Sequence, residues 1–374
     1  MATVGPADSP VPGQRRRAPG EGTPEDRELP FLDLDALEAS ARERLPADVF
    51  DYYAGGAGTE TTLAEAPAAW RSWRLRPRVL RGVTAVDLAT ELLGTPVRSP
   101  IGVAPWAYQG LAHPDGEPAT ARGAAAAGSL LTVSTSATHS LEEVAAATAG
   151  SPAWFQLYRL HSTAHTHDLA RRAGQAGYRA LVLTVDLPLL GSRGRDLRND
   201  FALPAGLRLA NHPPADGGPI PDAVAAWTFD DIGRFGELSG LPVVVKGVLR
   251  GDDARTCVQA GAAAVWVSTH GGRQVDPAVA SAHALPEVVD AVGEDVEVYA
   301  DGGIRSGSDA LTALALGARA AFVGRPTIWG LTTGGADGVA AVLTGLGEEL
   351  ASTMALCGLG DVRSVPRDTV RPAR

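Results

Sequence analysis

The sequence predicts an α/β fold, a TIM (β/α)8 barrel with short N-terminal helices and a disordered N-terminal tail. Three observations predict it. Eight short apolar runs recur from Pro100 onward, each nearly continuous rather than alternating, as parallel strands covered on both faces must be. Each run leads into an Ala-rich stretch that opens near Asp, Ser or Thr and closes near Gly, the start and stop chemistry of a helix. Eight such units fill roughly 250 residues, the span of one barrel of this kind. The competing architecture, a doubly wound open sheet, needs a glycine fingerprint after its first strand. None follows IGVAP.

Residues 1–28 are dense in Pro, Gly and charge and bury too little apolar surface to offset the entropy of ordering them, which predicts a tail. Residues 29–99 form a helical lead-in with two amphipathic patterns, LDLDALEASARERL and PADVFDYYA; the second opens on Pro just inside a helix start. The barrel is expected over 100–360. Its strands are IGVAP from Ile101, LLTVS from Leu130, AWFQLY from Ala153, ALVLTVD from Ala180, PVVVKG from Pro242, AAVWVS from Ala263, VEVYADGG from Val296 and AAFVG from Ala320. Residues 361–374 read as a C-terminal tail. One connection is out of scale: between Val185 and Trp227 the chain passes through GSRGRDLRNDF and a Pro/Gly/Asn-rich stretch, a candidate lid or substrate loop.

The 374 residues are 45% hydrophobic and 20% charged, a globular composition that excludes a disordered protein. The net charge of -10 repels phosphate backbones, so no nucleic-acid partner is expected, while a local basic pocket for a small anion stays open. Cys257 and Cys357 lie far apart without C-x-x-C spacing, which argues against a disulfide framework or structural zinc and fits a reducing, cytoplasmic setting. No apolar run follows the N-terminal arginines and no later stretch offers about 18 charge-free apolar residues, so neither a signal nor a membrane span is expected.

In such a barrel the active site forms at the C-terminal strand ends. There the sequence places Ser134, Gln156 with Tyr158, Thr184 with Asp186, Lys246, Ser268 with His270, Asp301, and Gly324 with Arg325. One polar strand end is unremarkable; a ring of them, several charged, exceeds what solvation requires. DGGIRSG after strand seven and VGRP after strand eight put glycine amides where an anion can approach, with Arg305 and Arg325 able to grip it bidentately. The plain alternative makes the glycines turns and the arginines surface residues. Lys246 ends the apolar run VVVK and is either half of a structural ion pair or a catalytic cation. His270, beside glycines and Arg273 in STHGGRQVD, is a candidate general base next to an anion clamp. His161, His165 and His167 start a surface helix with no acidic or thiol ligand to complete a metal site, so no metal is expected.

These pieces resemble the FMN-dependent α-hydroxy acid oxidases and dehydrogenases, the family of glycolate oxidase, lactate oxidase, mandelate dehydrogenase and hydroxymandelate oxidase. The likeness runs from about Leu45 to Gly358 through DYYAGGAGTETTLAE, RLRPRVL, GLAHPDGEPATARGAAAAG, WFQLY, LTVDLP with GSRGRDLRNDF, VVVKGV, STHGGRQVD, DGGIRSGSDALTALALGA and FVGRP. The resemblance implies bound FMN: Asp301, Gly303, Arg305, Gly324 and Arg325 on its phosphate and ribityl chain; Ser134, Gln156 and Thr184 on its ring; Ala104, Pro105 and Trp106 with Ser268 beside it; and Lys246 near the flavin N1, stabilising the anionic reduced form. It implies Arg193 and Arg273 as carboxylate clamp, Tyr52 and Tyr158 as hydrogen-bond donors to substrate, His270 as base and Asp186 as its partner. The implied reaction takes an (S)-2-hydroxy acid to the 2-oxo acid, by carbanion or by hydride transfer, with electrons passed to oxygen or another acceptor. A soluble homo-oligomer, a tetramer by resemblance, is implied as well.

Three positions depart from the commonest family pattern: Trp106 stands where a small residue or Thr is usual, Thr269 replaces the Asn before the histidine, and Ser136 replaces a large aromatic. Removing an indole-sized wall exposes roughly 150 to 250 Å² of contact surface. Ser136 therefore predicts a larger or aryl substrate, such as mandelate or 4-hydroxymandelate, unless Trp106 refills the space. The alternatives are a short-chain lactate or glycolate oxidase, and a flavin-binding barrel with different chemistry or no turnover.

Overall fold

The structure, a computed structural model, describes residues 32–160, 162–212 and 226–373. The tail expected for 1–28 and part of the long loop after the fourth barrel strand lie outside the described residues.

Asp33 opens the lead-in: its carboxylate accepts from the Ala36 amide at 2.9 Å and caps helix α1, Leu34–Arg44, satisfying one of the amides a helix start leaves unpaired. Pro46 precedes α2, Ala47–Ala54, which buries Phe50, Tyr52 and Tyr53. A third helix, α3 (Thr61–Arg71), was hidden from pattern reading because Pro67 sits inside it, where proline reads as a breaker. Strand β1 (Trp73–Leu75) follows, and then the hairpin of β2 (Thr90–Leu92) and β3 (Thr95–Val97). The hairpin turns through Leu93 (φ 48°) and Gly94 (φ 69°), the two left-handed residues that a tight two-residue loop requires. Leu92 and Val97 belong to the same apolar cluster as the barrel interior, so the hairpin closes the end of the barrel away from the site.

The barrel strands fall where the apolar runs predict them. They are β4 (Ile101–Val103), β5 (Leu131–Ser134), β6 (Ala153–Leu157), β7 (Leu181–Thr184), β8 (Val243–Val248), β9 (Ala264–Val267), β10 (Glu297–Ala300) and β11 (Ala320–Val323), and they close as one parallel barrel, β11 pairing with β4. Four large rings fill its centre: Trp154, Trp266, Tyr299 and Phe322, with the Trp266 and Phe322 centroids 3.9 Å apart. The rings dictate a small neighbour. A Cβ on Gly102 of β4 would stand 2.5 Å from the Phe322 ring, well inside the contact distance of carbon atoms.

Helices α4 (Gly116–Ala127), α5 (Leu141–Ala147), α6 (Thr163–Gln175), the short α7 (Gly194–Arg198), α8 (Phe229–Ser239), α9 (Gly251–Gln259), α10 (Ser281–Val292), α11 (Gly307–Ala315) and α12 (Arg325–Leu356) complete the layer around it. By length and composition α12 is apolar enough to cross a membrane. It breaks at Gly335 (φ 58°), however, and buries Ile328, Trp329, Leu343 and Leu350, as a core helix does. The C-terminal residues, read as a tail from 361, are built into the fold through residue 373: β12 (Val370–Pro372) pairs antiparallel with β1. Three residues carry no periodicity, so only the waiting edge of β1 reveals that strand.

Candidate active site

Strand β9 ends at Val267, and His270 then takes a left-handed conformation (φ 55°) ahead of Gly271 and Gly272, both also at positive φ. Such a conformation is uncommon outside glycine and marks a constrained position. The reversal sets the His270 ring between two partners: Nδ1 lies 2.9 Å from Asp186 Oδ1, and Nε2 lies 3.4 Å from the Tyr158 hydroxyl. A carboxylate on Nδ1 holds the proton there and leaves Nε2 as the acceptor. Burial, followed by the Asp186 charge, pushes the Tyr158 phenol up, so Tyr158 acts as a neutral donor.

Asp186 has room because β8 bulges after Lys246, where Gly247 adopts φ 109°. A Cβ at Gly247 would meet Asp186 Cγ at 2.5 Å. Sequence reasoning passed over Gly247, although a glycine inside a strand signals a bulge or a close approach.

Lys246 is buried, and its Nζ donates to Ser268 Oγ at 2.6 Å and pairs with Asp301 Oδ2 at 2.8 Å. Ser268 also donates to Asp301 at 2.6 Å and accepts the His270 amide at 3.0 Å. One serine thus ties the cation, its counter-ion and the histidine backbone together. The face of Trp266 lies 5.2 Å from Nζ, an attraction that the sequence did not single out.

Four arginines converge on the same space. Arg273 is buried and donates to the carbonyls of Tyr52 and Gly55; Arg325 is buried and donates to those of Tyr53, Gly55 and Gly271; Arg305 donates to that of Ile304. Burial, with Arg193 next, lowers Arg273 to about 10. Burial, with Arg273 and Arg305 next, drives Arg325 well down. Buried guanidinium groups that crowd one another, with Arg273 and Arg325 meeting backbone carbonyls and aromatic faces instead of carboxylates, are a site arranged for anions. Arg193 stands 3.9 Å from Asp196; its Nε is buried without a partner among the described residues.

A cavity of about 520 Å³ joins these groups. Of the residues expected from sequence, it is lined by Tyr52, Ala104, Pro105, Trp106, Ser136, Tyr158, Thr184, Arg193, Lys246, His270, Arg273, Asp301, Gly303, Arg305, Gly324 and Arg325. Ser134, Gln156, Asp186 and Ser268 stand behind the wall and orient its members. Gln156 Oε1 accepts from Ser134 Oγ and the Thr135 amide, both at 3.2 Å, which fixes the amide and leaves Nε2 buried without a partner among the described residues. Thr184 Oγ1 is likewise unpartnered. Two orphaned polar atoms at neighbouring strand ends fit the heteroatom edge of a flavin ring. The uncapped start of α12 at Gly324, with Gly303 and Arg305 in the same wall, fits its phosphate. The residues present therefore fit FMN. Asp301 and Arg325 show further engagements: the Asp301 carboxylate is committed to Lys246 and Ser268, and Arg325 to three carbonyls.

Several supports come from far away in sequence. Asp276 accepts from the amides and hydroxyls of Thr59 and Thr62 at 2.7 to 2.9 Å, stitching the HGGRQVD loop to the start of α3. Arg195 pairs with Glu60 at 2.7 Å and Asp51 at 3.3 Å, fastening α7 to the lead-in. Buried Glu117 accepts from the amides of Gln109 and Thr138 at 3.0 Å, the Thr138 hydroxyl at 2.6 Å and His139 Nδ1 at 3.1 Å, shaping the two loops that carry Trp106 and Ser136. None of the three was recognisable locally, because each partner lies on another element.

Among known proteins, the model of the family described as FMN-dependent dehydrogenase matches residues 41–372. The chain is 47% identical over 351 residues to an L-lactate oxidase of Nostoc sp., covering 89% of this chain and 96% of the relative. It is 43% identical over 351 residues to a 4-hydroxymandelate oxidase of Amycolatopsis orientalis, covering 91% and 98%. A crystal structure of mandelate oxidase with (S)-2-phenylpropionate superposes with a TM-score of 0.85 at 44% identity, covering 91% of this chain and 98% of that one.

Proposed function

The chain belongs to the FMN-dependent dehydrogenase family and is an FMN-dependent 2-hydroxy acid oxidase/dehydrogenase; from that premise we propose that it oxidises an aryl (S)-2-hydroxy acid, mandelate or a ring-substituted mandelate. One observation carries the choice. Buried Ser136 opens the cavity wall where Tyr52, Tyr108, Phe201 and Leu203 also stand, and Tyr52 stacks on Phe201 at 4.8 Å with an interplanar angle of 14°. Aromatic faces around a small residue form a slot for a ring. Trp106 does not argue against it, since its ring is turned toward Tyr53, Arg273 and Arg325. Overall identity favours no substrate, because the lactate and hydroxymandelate oxidases match almost equally.

Bound FMN supplies the two-electron acceptor, and this chain's residues arrange the donor. Arg193 and Arg273 hold the substrate carboxylate, whose charge relieves their mutual repulsion. Tyr158 directs the hydroxyl toward His270. His270 Nε2 receives a proton while Asp186 on Nδ1 stabilises the imidazolium that results. Lys246, paired with Asp301, offsets negative charge that develops in the cavity. Phe201, backed by the Tyr52 ring stacked on it, walls the aryl slot and excludes water.

Anaerobic flavin reduction across glycolate, lactate, mandelate and 4-hydroxymandelate tests the proposal. The expected order places the aryl acids first; faster reduction by glycolate or lactate overturns it. Admitting oxygen afterwards measures the oxidase half-reaction.

A further inference from the structure

The aryl slot has a polar floor. Ser136 lines the cavity and is 1% exposed, yet its Oγ lies 3.2 Å from His212 Nε2. His212 arrives from a segment far along the chain, and the structure fastens it there. Asn211 is fully buried; its Oδ1 accepts the Leu141 amide at 2.9 Å and its Nδ2 donates to the His139 carbonyl at 3.3 Å. The Ala210 amide donates to the Ala137 carbonyl at 3.3 Å, and His165 Nε2 contacts the Asn211 carbonyl at 2.9 Å. Three contacts to Asn211 and one from its neighbour Ala210 exceed what closing a surface loop requires. They hold an imidazole against the Ser136 hydroxyl, which the Tyr108 hydroxyl also meets, where the aryl slot opens.

We propose that Ser136 and His212 form a hydrogen-bonding subsite that selects 2-hydroxy acids whose aryl ring carries a hydroxyl at its far end. This inference rests on the aryl reading above and narrows it. A carboxylate held by Arg193 and Arg273, with the reacting carbon at His270, sends the rest of the substrate toward the aromatic slot and Ser136. An unsubstituted or fluorinated ring presents nothing to the Ser136–His212 pair. A phenolic hydroxyl both donates and accepts, and joins the pair without leaving a buried polar atom unmatched. A site built to hydrogen-bond a substrate group discriminates against analogues that lack it more strongly than an apolar wall does. His212 is a specificity residue, remote from the reacting atoms.

The test compares kcat/KM for 4-hydroxymandelate and 4-fluoromandelate in the FMN-loaded wild type, His212→Phe and Ser136→Ala, with lactate in every series. The dissociation constants of 4-hydroxyphenylglyoxylate and phenylglyoxylate are read in parallel from the flavin difference spectrum, which needs no turnover. The wild type is expected to favour the hydroxylated member of each pair, and either variant to reduce that preference about five- to tenfold, the worth of one hydrogen bond. Equal treatment of the two aryl acids by the wild type, or a preference that survives both variants, overturns the subsite while leaving the aryl assignment standing. Lactate outrunning both aryl acids in the wild type overturns the aryl assignment and the subsite with it.

Discussion

Gly247→Ala probes the catalytic geometry without removing any group that takes part in it. The residue sits at φ 109° in the β8 bulge, and a methyl group would stand 2.5 Å from Asp186 Cγ, 2.7 Å from its Cβ and 2.8 Å from Oδ2. Carbon atoms prefer about 3.5 to 4.0 Å, so Asp186 must retreat by roughly 1 Å. The His270–Asp186 contact of 2.9 Å then stretches past the limit of a hydrogen bond. An L-residue held at this φ costs about 1 to 3 kcal/mol and the overlap a similar amount, giving an expected destabilisation of roughly 3 kcal/mol by urea titration. Displacing a reacting group by about 1 Å costs on the order of a hundredfold in rate. Anaerobic stopped-flow with mandelate should show flavin reduction slowed by about that factor, and Asp186→Asn, which keeps the volume but loses the charge, should slow it as well. Reduction by Gly247→Ala within threefold of wild type would refute the argument that the bulge exists to seat Asp186.

Restoring the missing wall with Ser136→Trp should lower kcat/KM for mandelate by about a hundredfold while sparing lactate, because an indole fills the slot; an unchanged mandelate-to-lactate ratio would move the aryl slot elsewhere. The Glu117–His139 pair predicts a pH window. Burial acts to raise the Glu117 carboxyl, but hydrogen bonds from His139 and Thr138 override it and hold it below its ordinary value, whereas the Glu117 hydrogen bond raises His139. A depressed acid stabilises above its unfolded pKa, and a raised base stabilises below its own. The stability lost in His139→Leu should therefore be greatest between about pH 4.3 and 6.5, then shrink as pH rises through the elevated histidine value or falls through the depressed carboxyl value; a loss flat from pH 4 to 9 would contradict it. Burial pushes the Cys257 thiol to about 11, so iodoacetamide at pH 8 should alkylate it only after denaturation, which mass spectrometry on the folded and unfolded protein decides.

Much of this was legible in the linear order of residues. Eight strands announced themselves because parallel strands buried on both faces need unbroken apolar runs, and the runs end in polar residues where the strands leave the core. Sixteen of the residues expected at the site line one cavity, since a barrel brings all its C-terminal strand ends to one rim. Chemistry confined to a strand end, such as Lys246 or His270, is therefore visible as soon as the strand is. Helix α3 escaped because Pro67 masks its period, and β12 because three residues have none.

The sequence by itself determined the barrel, the rim and the types of group on it, because periodicity and strand-end chemistry are local properties. The tertiary structure decided which groups meet. Gly247 is a mere glycine until Asp186 packs against it; Lys246 is an open choice until Asp301 and Ser268 close on it; Ser136 is only a small residue until Phe201, Tyr108 and His212 surround it. Those partners lie tens of residues apart in the chain, and proximity across such separations is set by closure of the barrel and by how its connecting loops return to the rim. No local pattern records it.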